Sequence, residues 1–300
     1  MANISMDTRL RLCHGVFQRL AESAGIDVLH VKGPAVSAAL LANRVDATTG
    51  ERCVVPRPSS DVDLLVRPRH VGRFLALLGE HGWQRKTSFE SGSAFGHALN
   101  VYHPRLGNAD VHRFFPGIGL DPEPAFDELW ADHSTTLLGN VACPVPSVTA
   151  QRLLLLLHAG RSGGQLHPDY ALCWQNASME ERGEVRVLAE RFEARVGLAA
   201  AIGELDHYLD DPQYLLWRHF ANERSSGRFA EWRARLRAAR TWRDKASVLR
   251  GFFIINRDFV AMQVGHEPTH RDLAHAYADR IATMLGELRD ATRRRVGRRP

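Results

Sequence analysis

The spacing of apolar residues changes period near residue 147, and no all-α or all-β fold accommodates both halves. Upstream, apolar residues come in short β-branched runs separated by Gly, Pro and Asn. Asp27–Val31 and Val62–Val66 are strand-like, as are stretches around 83–89, 94–103 and 108–114. Downstream of Ser147, a plausible N-cap, helical spacing runs over 148–160, 167–178, 180–196, 198–209, 228–240, 243–263 and 270–288. The expectation is an α+β chain. A mixed sheet with flanking helices covers 1–145, a helical domain covers 146–290, and an Arg-rich, disordered tail covers 291–300.

Within the first part, Leu10, Val16, Phe17 and Leu20 mark a helix over 5–24. A second helix is expected over Ala35–Leu41, directly after the turn Lys32-Gly33-Pro34, and a third over 69–80. Residues 43–60 read as a loop, and 135–145 as a hairpin turning at Gly139-Asn140.

Composition excludes several classes. Of 300 residues 44% are hydrophobic, enough for a sizeable core. Net charge is +5, carried almost wholly by Arg, with Lys only at 32, 86 and 245. Cys13, Cys53, Cys143 and Cys173 form no CxxC pair, so neither a zinc site nor a disulfide framework is expected. They read as reduced thiols of a cytoplasmic protein. The N-terminal MANISMDTRL lacks a signal-peptide layout, and the run Leu153–Leu157 is too short to span a bilayer, so no membrane association is expected. The basic helix over 228–240 and the Arg-rich tail contain no nucleic-acid motif, and nucleic acid is not expected as a partner.

The stretch PSSDVDLLV, residues 58–66, places Asp61 and Asp63 on one face of a strand. Two like charges at that spacing are costly unless a cation lies between them. Hard oxygen ligands suit Mg²⁺ bound together with substrate phosphates. Asp110, in the stretch NADVH, is the third candidate carboxylate, provided that its strand pairs beside the strand of Asp63. His112 then shares the face of Asp110. Before the first long loop, Lys32 and Gly33 stand at a strand-to-helix turn, where backbone N–H groups and a lysine hold phosphate. Together these parts describe metal-assisted transfer of a nucleotidyl group from an NTP, with one or two Mg²⁺ ions.

The stretches VLHVKGPAVSAAL, RPSSDVDLLV and ADVH resemble the uncharacterised nucleotidyltransferase family of the polymerase-beta-like nucleotidyltransferase superfamily. That resemblance spans about residues 25–175 and implies the superfamily's mixed sheet followed by a helical domain. Its motifs fall here on Lys32, Gly33, Arg57, Asp61, Asp63, Gly82, Trp83, Asp110 and His112. A histidine on an apolar helix and an aspartate on the next match His158 and Asp169. The resemblance implies that Asp61, Asp63 and Asp110 are catalytic metal ligands. Lys32, Gly33, Ser37, Arg57, Ser60 and His112 belong to the nucleotide side, with Mg²⁺ as cofactor and ATP the first NTP to consider. One departure stands out: Pro34 occupies the position of a small residue and removes a backbone donor, and Ser37 is the candidate replacement contact.

Alternatives remain at this level. Arg57 serves a salt bridge to Asp61, a phosphate, or solvation of its loop; Lys32 is a phosphate ligand or a turn lysine; His158 is a core histidine or lines the cleft. The acceptor is a small molecule, a peptide or a protein side chain. The competing function is a catalytically silent nucleotide- or partner-binding module of a regulatory pair, and a more distant one an RNA-modifying nucleotidyltransferase.

Overall fold

The computed structural model describes residues 4–41, 50, 57–89, 95–221 and 228–239, parts of 241–249, then 257–264 and 266–296. Cys53, most of the loop expected over 43–60 and much of the helix expected over 243–263 lie outside the described residues.

Five strands form one mixed sheet: β1 (Val28–Val31), β2 (Val62–Val66), β3 (Gln84–Arg85), β4 (Ala98–His103) and β5 (Gly107–His112). Their order is β1-β2-β5-β4-β3. Only β2 and β5 run parallel; the other neighbours are antiparallel. Strand alternation sorts the side chains. Val62, Leu64 and Val66 of β2 and Ala109 and Val111 of β5 pack with helix α1 (Met6–Ser23) and helix α3 (Val71–Glu80), through Leu10, Phe17, Phe74 and Leu78. Leu65, Leu29 and Val31 face the other way, into a second core built with Phe115, Phe126 and the helical region. By the same alternation Asp63, Asp110 and His112 belong to this second face.

Helix α1 is held to the sheet by a buried polar chain. His14 Nδ1 lies 2.8 Å from His30 Nδ1, and His30 Nε2 lies 3.0 Å from Gln18 Oε1. A hairpin of β6 (Ser134–Leu138) and β7 (Val141–Val145) also packs on α1. It turns at Gly139 and Asn140, both at positive φ, as a two-residue primed turn requires.

Helix α5 (Val148–Gly160) is the axis of the helical region. Leu153 to Leu157 are all buried, which is why its apolar residues form an unbroken run rather than a stripe. Each such leucine stabilises the fold by about 1.5–3 kcal/mol relative to exposure. Around it stand α7 (Met179–Arg191), started by a Ser178/Glu181 capping box, and α8 (Arg195–Ile202). Further on are α9 (Tyr214–Ala221), α10 (Arg228–Ala238) and the helices Arg257–Val264 and His270–Val296. Among the described residues no helix is long and apolar enough to cross a membrane.

Several expectations need correction. The helix expected over Ala35–Leu41 is a single 3-10 turn, Gly33–Ala35, followed by the four-residue helix α2 (Ala38–Leu41). Between them the Ser37 N–H is taken by Gln151 Oε1 at 2.7 Å, a contact from α5 that replaces helix continuation. The strand expected around 83–89 is only the two residues of β3. The helix expected over 167–178 is one turn, α6 (Pro168–Tyr170), continued as a π-helical stretch Ala171–Gln175. The last helix runs to Val296, through the first part of the stretch expected to be a disordered tail; 297–300 lie outside the described residues. Helices α4 (Pro122–Ala131) and α9 were not expected.

Candidate active site

The parallel pairing of β2 and β5 sets Asp63 directly opposite Asp110. Asp61, two residues before Asp63, stands at the entry to β2 on the same side. An open cleft of about 580 Å³ lies above them, within the range of small-molecule sites. Of the expected residues, Lys32, Arg57, Ser60, Asp61, Asp63 and Asp110 line it; His158 joins them from the end of α5. Gly33, Ser37 and His112 are not in its lining.

The cleft lining carries three carboxylates, Asp61, Asp63 and Asp110, beside the cations Lys32 and Arg57. Asp63 is 5% exposed, and one of its oxygens, Oδ1, receives both Lys32 Nζ at 2.6 Å and His112 Nε2 at 2.8 Å. Burial alone raises its pKa, but Lys32 and His112 outweigh burial and hold the carboxyl well below its usual range. Asp110 has the opposite fate. Burial, then the charges of Asp63 and Asp61, push it up to about 7, against the opposing pull of Lys32 and a hydrogen bond from Asn100 Nδ2. Asp61 is raised too, by burial and by Asp63. His112 is lowered to about 4 by burial, in spite of its bond to Asp63. It is therefore neutral, donating from Nε2 to the ionised Asp63, and its buried Nδ1 has no hydrogen-bond partner among the described residues.

Ligand atoms of Asp63, Asp110 and His112 all lie within 4.8 Å of one another. Three hard carboxylates around one cleft, one of them held near neutrality by burial and then by the other two, form a donor set that a divalent cation completes. His112 fits best as the residue that orients Asp63, since imidazole is the softer donor.

The turn beside the cleft is strained. Lys32, a non-glycine, has φ +57°, and Gly33 has φ +45°. A Cβ built at Gly33 would lie 3.0 Å from the Ser59 Cβ, so only glycine lets the turn and the Ser59 loop close on each other. The expected helix N-terminus for phosphate is absent. The N–H groups of Ala35 and Val36 are used within the turn, on Lys32 O at 2.9 Å and Gly33 O at 3.2 Å. The Ser37 hydroxyl accepts from the Ala39 N–H rather than facing the cleft.

Arg57 pairs with Asp169, not with Asp61. Its Nε and Nη2 donate to the two carboxylate oxygens at 2.8 and 2.9 Å. His158 Nδ1 lies 3.3 Å and His167 Nδ1 3.5 Å from Asp169 Oδ2. Burial works to raise the Asp169 pKa, yet the hydrogen bonds of His158 and Arg57 keep it well below the usual carboxylate range. Sequence reasoning did not find Asn100 or Arg161. Arg161 follows His158 by three residues at the end of α5, and its Nη1 donates to His97 Nε2 at 3.1 Å. Burial lowers its pKa to about 10, with Asp63 and Asp110 acting to raise it. Helical spacing from His158 was the available signal for Arg161.

The site thus lies on a mixed sheet that joins three carboxylates, followed by a helical region. The chain belongs to the uncharacterised nucleotidyltransferase family, whose model matches residues 8–203. No curated protein matches it. Among solved structures it is similar to the lincosamide antibiotic adenylyltransferase LnuA bound to lincomycin, at 18% identity and a TM-score of 0.31, covering 58% of this chain and 92% of that one. It is also similar to an antigenic nucleotidyltransferase-like protein from Paracoccidioides brasiliensis, at 16% identity and a TM-score of 0.36, covering 65% and 94%.

Proposed function

We propose that the protein transfers a nucleoside monophosphate from an NTP to a hydroxyl acceptor, with Mg²⁺ held by Asp61, Asp63 and Asp110. The observation that carries this is the register of β2 on β5, which joins the three carboxylates in one cleft and pushes Asp110 up to about 7 by burial and by Asp63 and Asp61. Bound Mg²⁺ supplies charge compensation for the carboxylates and for the phosphates. Lys32 and His112 keep Asp63 ionised and fixed, so it is ready to bind a cation without reorganisation. Lys32 and Ser60 in the cleft lining serve the phosphates; Arg57 acts through Asp169. A small-molecule acceptor is the first candidate, because the cleft is of small-molecule size.

A second reading is supported by the Lys32–Asp63 ion pair, in which a lysine already neutralises the carboxylate a metal would use. It is a silent nucleotide-binding module. Incubation with α-³²P-labelled NTP, Mg²⁺ and a panel of hydroxyl compounds separates the two. Labelled product and pyrophosphate that disappear in Asp61→Ala support transfer; tight nucleotide binding with no pyrophosphate under any acceptor supports the module.

A further inference from the structure

We propose that His158, oriented by Asp169, takes the proton of the acceptor hydroxyl in this cleft; the proposal rests on the nucleotidyl-transfer reading above. His158 lines the same cleft as Asp61, Asp63 and Asp110, although it comes from α5, more than forty residues beyond β5. Its Nδ1 lies 3.3 Å from the ionised Asp169 carboxylate, so Nδ1 carries the hydrogen and donates. The lone pair is then on Nε2, which has no hydrogen-bond partner among the described residues. A base held in one tautomer by a buried carboxylate, with its other nitrogen free, is the arrangement used to activate hydroxyl nucleophiles on unrelated folds.

Asp169 is itself immobilised. Arg57 grips both of its oxygens, and its backbone N–H donates to His167 Nδ1 at 3.1 Å. Arg57 also argues against a metal in the His158, His167, Asp169 cluster, because it donates to both oxygens of Asp169, whereas Lys32 and His112 share a single oxygen of Asp63. Asp110 does not take this proton, because on the reading above it is committed as a ligand when a cation is bound. A carboxylate whose lone pairs are shared with a cation is a poor proton acceptor.

The charged and titratable groups around His158 include Asp169, His167, Lys32 and Arg161, with Arg57 on the same Asp169 oxygen. Burial, and then Lys32 and Arg161, lower its pKa to about 4, while the Asp169 hydrogen bond raises it. A triphosphate brings negative charge into the cleft, offsets Lys32, and makes the ring more basic when substrate is present. In the step, the acceptor oxygen bonds to the α-phosphorus. The bond from that phosphorus to the bridging oxygen breaks, pyrophosphate leaves with the electron pair, and the hydroxyl proton passes to Nε2.

The test uses the full chain, MgATP, and molar glycerol or water as acceptor, with pyrophosphate release as the rate and calorimetry for binding. His158→Ala is expected to keep the MgATP Kd within about twofold and to lose about 10²–10⁴-fold in rate, part of it restored by added imidazole. A variant rate within threefold of wild type overturns the proposal while leaving transfer intact. If wild type binds no MgATP, the transfer reading and the proposal fall together. If wild type binds MgATP without releasing pyrophosphate, ¹⁵N NMR of the His158 ring decides: hydrogen on Nδ1 supports the proposal, hydrogen on Nε2 overturns it.

Discussion

Replacing Arg57 by Met isolates the contact that fastens the cleft loop to the helical region. Arg57 makes two hydrogen bonds to Asp169, whose side chain is 3% exposed against 14% for Arg57. Losing the guanidinium strands a buried carboxylate, a loss that typically costs about 3–5 kcal/mol. His158 and His167 lie close enough to supply part of the missing charge by taking a proton, so the low end, about 3 kcal/mol, applies at pH 8. For a domain of this size that lowers Tm by about 6–12 °C. The sign of the pH dependence follows. In the wild type the depressed Asp169 pKa means its contribution is present above about pH 4 and is lost only as pH falls further, through its folded value. In the variant, acidification toward pH 5 protonates a neighbouring histidine, restores a cation, and shrinks the gap to wild type. Arg57→Met/Asp169→Leu, which removes both charges, should recover most of the loss. Differential scanning calorimetry at pH 8 and pH 5 measures all three proteins. A Tm for Arg57→Met within 1 °C of wild type at pH 8 would refute the reasoning.

Other consequences can be checked on the same footing. Burial lowers the His14 pKa to about 4 and holds His30 well below 6.5, so the unfolded chain binds these protons first and stability falls as pH drops from about 6.5 to 4. His14→Asn should make urea-unfolding stability less steep by up to about 1.4 kcal/mol per pH unit in that window, and an unchanged slope contradicts it. A methyl added at Gly160 meets the Gly197 carbonyl oxygen at 2.9 Å, so Gly160→Ala should force α5 and α8 apart and cost about 1–3 kcal/mol in urea unfolding. Asp110→Asn removes one of three mutually repelling carboxylates. It should raise stability without nucleotide by about 0.5–2 kcal/mol while abolishing labelled transfer, whereas a fall in Tm argues against the repulsion.

The faces of the strands that make the site were legible because their signals are local, while the pairing of β2 with β5 was a condition that only the fold meets. Period-two alternation around Asp61, Asp63 and Asp110 fixes which face each carboxylate takes, whatever the rest of the chain does. The Gly139-Asn140 hairpin was legible for the same reason. What escaped was set by distant contacts. The Ala35–Leu41 stretch has helical composition, but Gln151, more than a hundred residues away, takes the Ser37 N–H and interrupts it. Arg57 faced several partners of equal standing in the sequence, and only folding of the helical region brings up Asp169. Lys32 reads as a phosphate lysine, and its ion pair with Asp63, beside a turn at positive φ, is a contact that only the fold reveals. Helix α4 did carry a signal, Asp121-Pro122 followed by Ala125, Phe126 and Leu129, which a search for N-terminal prolines finds.

The central claim is that Asp61, Asp63 and Asp110 form a metal-dependent nucleotide site. Calorimetric titration of each of the four NTPs, with Mg²⁺ and with EDTA, into wild type and Asp61→Ala/Asp63→Ala tests it most directly. The account predicts binding of at least one NTP that requires Mg²⁺ and is lost in the folded double variant. Binding that survives both EDTA and the double substitution, or no binding of any NTP to folded wild type, would contradict it.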